Sequence, residues 1–206
     1  ETDLGSEVPY LSAIGALMYL ANYTRPDIAF AVNLLARFSS CPTKRHWKGI
    51  RHIFRYLRGT SDLGLFYSNN TKPVLLGYVD AGYLSDPHNA KSQTGYVFTY
   101  GDTAISWISQ KQTLVATSSN HAEVIALHEA SKECRWLRSV TQHIQGTSEN
   151  VKDDVNGWLP EVKVFQSASE AFTKIVAGAM LCQPRVGASS PIEVCPKHHN
   201  IEGSDL

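Results

Sequence analysis

The chain has no excess charge of either sign: 19 Lys and Arg balance 19 Asp and Glu over 206 residues. A nucleic-acid partner would therefore have to be held by a local patch rather than by overall charge. Cysteine is scarce. Cys41, Cys134, Cys182 and Cys195 follow no regular spacing and no apolar leader opens the sequence, which predicts an intracellular, reducing setting, without disulfides or a signal peptide. Long hydrophobic runs are also missing. The best, "LSAIGALMYLANY", is broken by Ser12, Gly15 and Asn22 and falls short of the roughly 20 apolar residues that a bilayer-spanning helix needs, so a core helix and no membrane partner are expected. There is no internal repeat and no low-complexity tract. What remains is 43% hydrophobic, enough for one sizeable core or two small ones. The chain opens on Glu1 rather than methionine, which points to a piece of something longer.

Residues 7 to 58 read as three helices. In the first, about 9–22, apolar positions 11, 14, 17, 18 and 20 follow a helical repeat. "TRPD" then ends it and starts a second helix with Pro26 in its opening turn, running to Pro42, with Ile28, Val32, Leu35 and Phe38 on its inner face. The third, "TKRHWKGIRHIFRYLRG", has Thr43 placed to cap it and Gly59 placed to end it in a left-handed turn. Trp47, Ile50, Phe54 and Leu57 form its apolar stripe. Lys44, Lys48, Arg51, Arg55 and Arg58 recur at the same helical spacing, and no acid lies between Thr43 and Thr60 to neutralise them. Such a face is either merely solvated or a phosphate-contacting surface, since counterion release rewards a basic stripe.

From about 63 to 118 the period becomes that of strands. "LGLFYS", "PVLLGYVD", "TGYVFTY", "AISWISQ" and "QTLVATS" are separated by turn-forming "SNNTKP", "SDPHNAKS" and "YGDT", which predicts an antiparallel meander. A helix follows in "SSNHAEVIALHEASKECRWLRSVTQ". Ser119 or Asn120 is placed to cap it, Asn120 and Glu123 have capping-box spacing, and Val124, Leu127, Trp136, Leu137 and Val140 are expected to face the sheet. Beyond Gln145 the signal weakens: "EVKVF" reads as one strand, "SASEAFTKIVAGAML" as one helix, and the last 25 residues as poorly ordered.

Asp80 and Glu123 are the pair with chemistry in view. One closes a strand and the other opens a helix that must pack back on the same sheet, so both can converge at one end of it. Convergent carboxylates bind hard divalent cations, and two such ions about 4 Å apart can drive phosphodiester cleavage. The plainer alternative is that Glu123 completes a capping box and Asp80 caps a turn. Other combinations are poorer: Cys182, Cys195, His198 and His199 fit no zinc spacing, and Ser119, His121 and Glu123 are crowded into one helical turn.

"SSNHAEVIALHEA" following "YVDAGYLSDPHNAKSQTGYVFTYGDTAISWISQKQTLVATS" closely resembles the ribonuclease H domain of copia-type retrotransposon polyproteins. The upstream "IGALMYLANYTRPDIAFAVNLLARFSSCPTKRHWKGIRHIFRYLRGT" resembles the segment joining reverse transcriptase to that domain, so the resemblance spans residues 7 to 145. It implies an α/β, RNase H-like mixed sheet of about five strands with flanking helices, preceded by a small helical connection segment. The divisions it implies are 1–62 for the connection, 63–145 for an incomplete RNase H-like domain and 146–206 for a divergent, partly disordered tail. It implies Asp80 and Glu123 as catalytic metal ligands, Mg²⁺ as cofactor, and an RNA–DNA hybrid and the parent reverse transcriptase domain as partners.

The family's next strand ends in a further metal-binding aspartate, which this sequence lacks. "VFQSASEAFTKIV" resembles a stretch lying beyond that strand, so a deletion or scrambling between about 146 and 165 is expected, with loss of a central strand. Asp153 and Asp154 lie in the right interval but in "VKDDVNG", which reads as a loop. Two carboxylates hold one hydrated Mg²⁺ weakly and leave a two-ion site short of negative charge. The expectation is a degenerate, catalytically impaired domain. The alternative is a non-catalytic nucleic-acid-binding module or a secreted effector-like relic, since "RYLR" (55–58) and "RWLR" (135–138) match the R-x-L-R string of oomycete effectors, although both fall inside amphipathic helices.

Overall fold

The computed structural model describes residues 8–144 apart from 69–73, 87–88 and 102, together with Gly5 and the backbone of two short strands at 161–164 and 181–182. The first part is helical: α1 (Tyr10–Tyr23), a 3-10 turn (Pro26–Ile28), α2 (Ala29–Ala36) and α3 (Lys44–Gly59). Tyr10, Ile14, Leu17 and Ala21 form the inner stripe of α1 and meet Ile28, Val32, Ile50 and Ile53 in one core. Leu11 and Met18, expected inside, lie on the outer face. Arg25 is buried between Asp27, at 2.7 Å, and the carbonyl and hydroxyl of Thr60, so the turn after α1 is tied to the end of α3.

Several local expectations change. The single helix expected from Pro26 to Pro42 splits, and its regular part stops at Ala36; Phe38 lies in the following turn, stacked on His46 at 3.9 Å. In α3 the inward residue is Ile53 rather than Phe54, which is exposed. Thr43 and His46 cap α3 reciprocally. Its far end needs no left-handed glycine: Gly59 is still helical, and the Thr60 hydroxyl closes the turn by donating to the Tyr56 carbonyl at 2.8 Å.

The second part comprises β1 (Leu63–Gly64), β2 (Leu75–Asp86), β3 (Lys91–Tyr100), β4 (Thr103–Lys111), α4 (Ser119–Ile144), β5 (Glu161–Val164) and β6 (Leu181–Cys182). The main sheet has the order β4-β3-β2-β5, and β1 pairs with β6. β2, β3 and β4 form the expected meander, with Gly101 at φ +57° turning β3 into β4. "QTLVATS", expected as a strand, is a loop. β5 runs parallel to β2, from Leu76 opposite Glu161 to Val79 opposite Val164. The fold class is thus α/β with a mixed sheet, and a strand does occupy the place where the sequence suggested one had been lost.

A parallel neighbour requires a crossover, and α4 lies between β4 and β5 in the chain. Its inner face is Ala122, Ala126, Ala130 and Leu137, packed on Val79, Tyr96 and Phe98. Small side chains at four-residue steps bring the helix close to the sheet, which turns Val124, Leu127 and Trp136 outward, at 63%, 40% and 59% exposure. Val97 and Trp107 alternate onto the opposite face of the sheet, where the Trp107 indole donates to the Ala21 carbonyl of α1 at 2.7 Å. The helical part therefore touches the face away from α4. No helix among the described residues is long and apolar enough to cross a membrane.

Gly77 is needed for packing against Phe98. A Cβ there would sit 2.5 Å from Phe98 Cε1, inside a fully buried ring contact. Gly77→Ala should cost about 1–3 kcal/mol, the usual penalty for overpacking, read as a lower urea midpoint with an unchanged m-value.

Candidate carboxylate site and basic helix

β2 continues six residues past Asp80, to Asp86, so Asp80 lies in mid-strand rather than at a strand end. It sits opposite Gly95 of β3 and is 6% exposed. On the other side of β2 the partner β5 stops at Val164, opposite Val79. The Ala81 amide lies just past that point and lowers the proton affinity of both Asp80 and Glu123.

Glu123 comes from α4, just beyond its first turn. The helix is capped by Ser118, whose hydroxyl accepts from the His121 amide at 3.1 Å, not by Ser119 or Asn120. The capping-box role is thereby taken from Glu123. The His121 imidazole accepts from the Thr117 amide at 3.3 Å, so it too is engaged at the helix start.

The electrostatics of the pair are those of an acid site short of positive charge. Burial pushes Asp80 up from the ordinary aspartate value, against the pull of the Ala81 amide. Burial, and then the charge of Asp80, push Glu123 up to about 6, again opposed by Ala81. One oxygen of each, Asp80 Oδ1 and Glu123 Oε2, is buried with no hydrogen-bond partner. Two desolvated carboxylates with orphaned oxygens are relieved by a proton or by a hard divalent cation, so the donor set suits one hydrated Mg²⁺.

Among the described residues no cluster of three or more His, Cys, Asp or Glu forms around a common point. In sequence Val164 is followed by Phe165, Gln166 and Ser167, and the next acid is Glu170. Asp153, Asp154, Cys195, His198 and His199 lie outside the described residues, as does the side chain of Cys182.

The basic residues do share one surface. Lys44, Lys48, Arg51, Arg55 and Arg58 are all exposed on α3, while Ile50 and Ile53 anchor the opposite face to α1 and α2. Arg55 also contacts the His52 ring at 3.1 Å. The stripe extends about 21 Å at 1.5 Å per residue. Of the two R-x-L-R strings, one ends α3 and the other lies within α4, with Leu57 and Leu137 turned inward. They are parts of amphipathic helices.

Two features carry no signal in the sequence. One is Gln112, buried between β3 and α4. The other is the polar group of buried Asp86 and Gln93 with the partly exposed Arg37 and Lys111. Neither has a motif; each exists only once non-local strands are paired.

Over 139 residues, 68% of its length, the chain is 47% identical to the retrovirus-related Pol polyprotein from transposon TNT 1-94 of Nicotiana tabacum and 37% identical to that from transposon RE2 of Arabidopsis thaliana. Over the same length it is 42% identical to a Plasmopara viticola protein named secreted RxLR effector protein 161, of which it covers 98%. Over that stretch the chain is similar to one segment of the Pol polyproteins of copia-type transposons. This Pol-related chain spans about 10% of the two polyproteins' length. No family model and no solved structure matches it.

Proposed function

We propose that this Pol-related chain is an RNase H-like, RNA–DNA hybrid-binding unit that keeps half of a metal-dependent cleavage site and is catalytically impaired. The observation that carries this reading is the Asp80–Glu123 pair, with orphaned oxygens and raised proton affinity but no third carboxylate among the described residues. The strand order supports it: a three-strand meander, a helix, then a strand parallel to the first long one. Asp80 and Glu123 would hold a single Mg²⁺, which supplies a Lewis acid when bound. They lack the charge for a second ion beside it, and an in-line displacement depends on stabilising both attacking and leaving oxygens.

The exposed stripe on α3 supports hybrid binding independently of cleavage. Fluorescence anisotropy with an RNA–DNA duplex should show salt-sensitive association. Reversal of Lys48, Arg51 and Arg55 to glutamate should weaken it and flatten the log-log salt slope by about 0.9 for each phosphate that is no longer neutralised. An unchanged slope would reduce the stripe to a solvated face. Cleavage of the same duplex in Mg²⁺ or Mn²⁺ should stay near background; vigorous cleavage abolished by Asp80→Asn would overturn the impaired reading.

A further inference from the structure

We propose that Gln112 is a positioning residue for the carboxylate pair: by bridging β3 to the start of α4 it fixes the turn from which Glu123 reaches the edge of β2. The inference rests on the reading of Asp80 and Glu123 as a cation site.

Gln112 follows the end of β4 in a stretch with no regular structure, yet it is 4% exposed. Its backbone amide donates to the Ser92 carbonyl at 2.8 Å, which fixes where the side chain starts. Its side-chain nitrogen donates to Thr94 Oγ1 at 3.1 Å and to the Ala122 carbonyl at 2.9 Å. A carbonyl only accepts, so the Ala122 contact fixes which end of the amide is nitrogen. The two partners are themselves buried, with Thr94 at 1% and Ala122 at 0% exposure.

These contacts link the two acid-bearing elements. Thr94 lies opposite Ala81 across the β2–β3 ladder. Gln112 joins Thr94 to Ala122, and Ala122 precedes Glu123, so this one side chain ties the β2–β3 pair that carries Asp80 to the helix start that carries Glu123. Ala122 and its neighbours are small and apolar, so packing sets the distance of α4 from the sheet but not its rotation or its slide along the strands. A hydrogen bond from a fixed donor to one carbonyl near the helix start restrains both. Burying an amide whose Oε1 has no partner is costly, and a methionine of the same length would fill the space at less cost if filling were all that was needed.

The test uses the full chain and Mn²⁺ alone, with free Mn²⁺ followed by electron paramagnetic resonance and unfolding followed without metal. Wild type should bind, and Asp80→Asn should not. Gln112→Met should weaken binding about 10–100-fold, the usual effect of losing an outer-shell partner, while its metal-free unfolding midpoint stays at or above that of wild type. Should Gln112→Met fail to fold, Thr94→Val removes the other end of the same bridge and should weaken Mn²⁺ binding in the same direction. Wild-type affinity in a folded Gln112→Met or Thr94→Val protein overturns the positioning role and leaves the cation site standing. Loss of affinity that merely follows loss of folded protein in both variants also overturns it. Absence of Asp80-dependent Mn²⁺ binding in wild type sinks the cation site and this inference together.

Discussion

Replacing Asp80 with asparagine is expected to stabilise the metal-free chain at pH 7 while abolishing its stabilisation by Mn²⁺. The two effects have one cause. Asp80 is a buried acid with an orphaned oxygen, and its charge is felt by a second acid, Glu123. Removing its charge removes a desolvation penalty on the order of 1 kcal/mol and lets Glu123 ionise more easily. In the wild type a bound divalent cation offsets the same penalty. At 100 times the dissociation constant that linkage is worth about 2.7 kcal/mol, so thermal unfolding with and without Mn²⁺ should separate widely for wild type and coincide for Asp80→Asn. If the variant is both less stable without metal and still shifted by Mn²⁺, the carboxylates serve packing and not a cation.

The same chemistry fixes the sign of a pH effect. Glu123 is raised from 4.5 to about 6 in the fold and Asp80 is raised too. The folded state therefore holds these protons more tightly than the unfolded chain. The contribution of Glu123 to stability is fully present below about pH 4.5, its unfolded value, and is lost as pH rises through about 6; that of Asp80 has the same sign. For Glu123 this amounts to roughly 1 kcal/mol after allowance for solvent screening. Wild type minus Glu123→Gln, compared across that window by urea unfolding, should show stability declining as pH rises. A flat difference would mean that water reaches the pair freely.

How far the sequence reveals this arrangement depends on the range of the interactions. α3 is legible almost in full, because Thr43, the apolar spacing and the run of Lys and Arg are local signals. The strands β2, β3 and β4 are legible for the same reason, since alternation and turn residues lie within ten or so positions of each other. Asp80 and Glu123 stand out in the sequence as two acids on neighbouring elements, but their setting does not. Nothing local shows that β2 continues to Asp86 or that Ser118 takes over the cap. The inner face of α4 misleads because alanines carry it while larger apolar residues point outward; hydrophobicity scales favour the large residues, and the sheet rewards close approach. β5 is visible as "EVKVF", but its pairing with β2 depends on a partner some 85 residues away. That pairing is what makes the expected loss of a strand unnecessary.

Another such non-local contact yields the second large effect: Asp86→Ala should destabilise the chain by about 3 kcal/mol, the low end of the cost of stranding a buried charge, because Lys111 is partly exposed. Asp86 is 5% exposed at the end of β2. It receives Arg37 at 3.6 Å, Lys111 at 3.5 Å and the Asn89 amide at 3.1 Å. Arg37 arrives from the turn after α2 and also bonds Gln93 of β3, so this group clamps the helical part onto the hairpin. Burial already lowers the proton affinity of Arg37, and the charge of Asp86 opposes that; without Asp86, both cations lose the acid that joins them. The reverse deletion is milder, because Asp86 would keep Lys111 and Asn89. Arg37→Met should therefore cost less than Asp86→Ala, and Arg37→Met with Asp86→Leu should recover much of the loss, as buried pairs replaced by apolar residues often do. Urea unfolding read at Trp107, which is bonded to Ala21 across the same junction, and by far-ultraviolet dichroism should give one transition in wild type. In Asp86→Ala the Trp107 signal should melt first. Equal costs for the two single variants, with coincident transitions, would show that apolar packing alone joins the helices to the sheet.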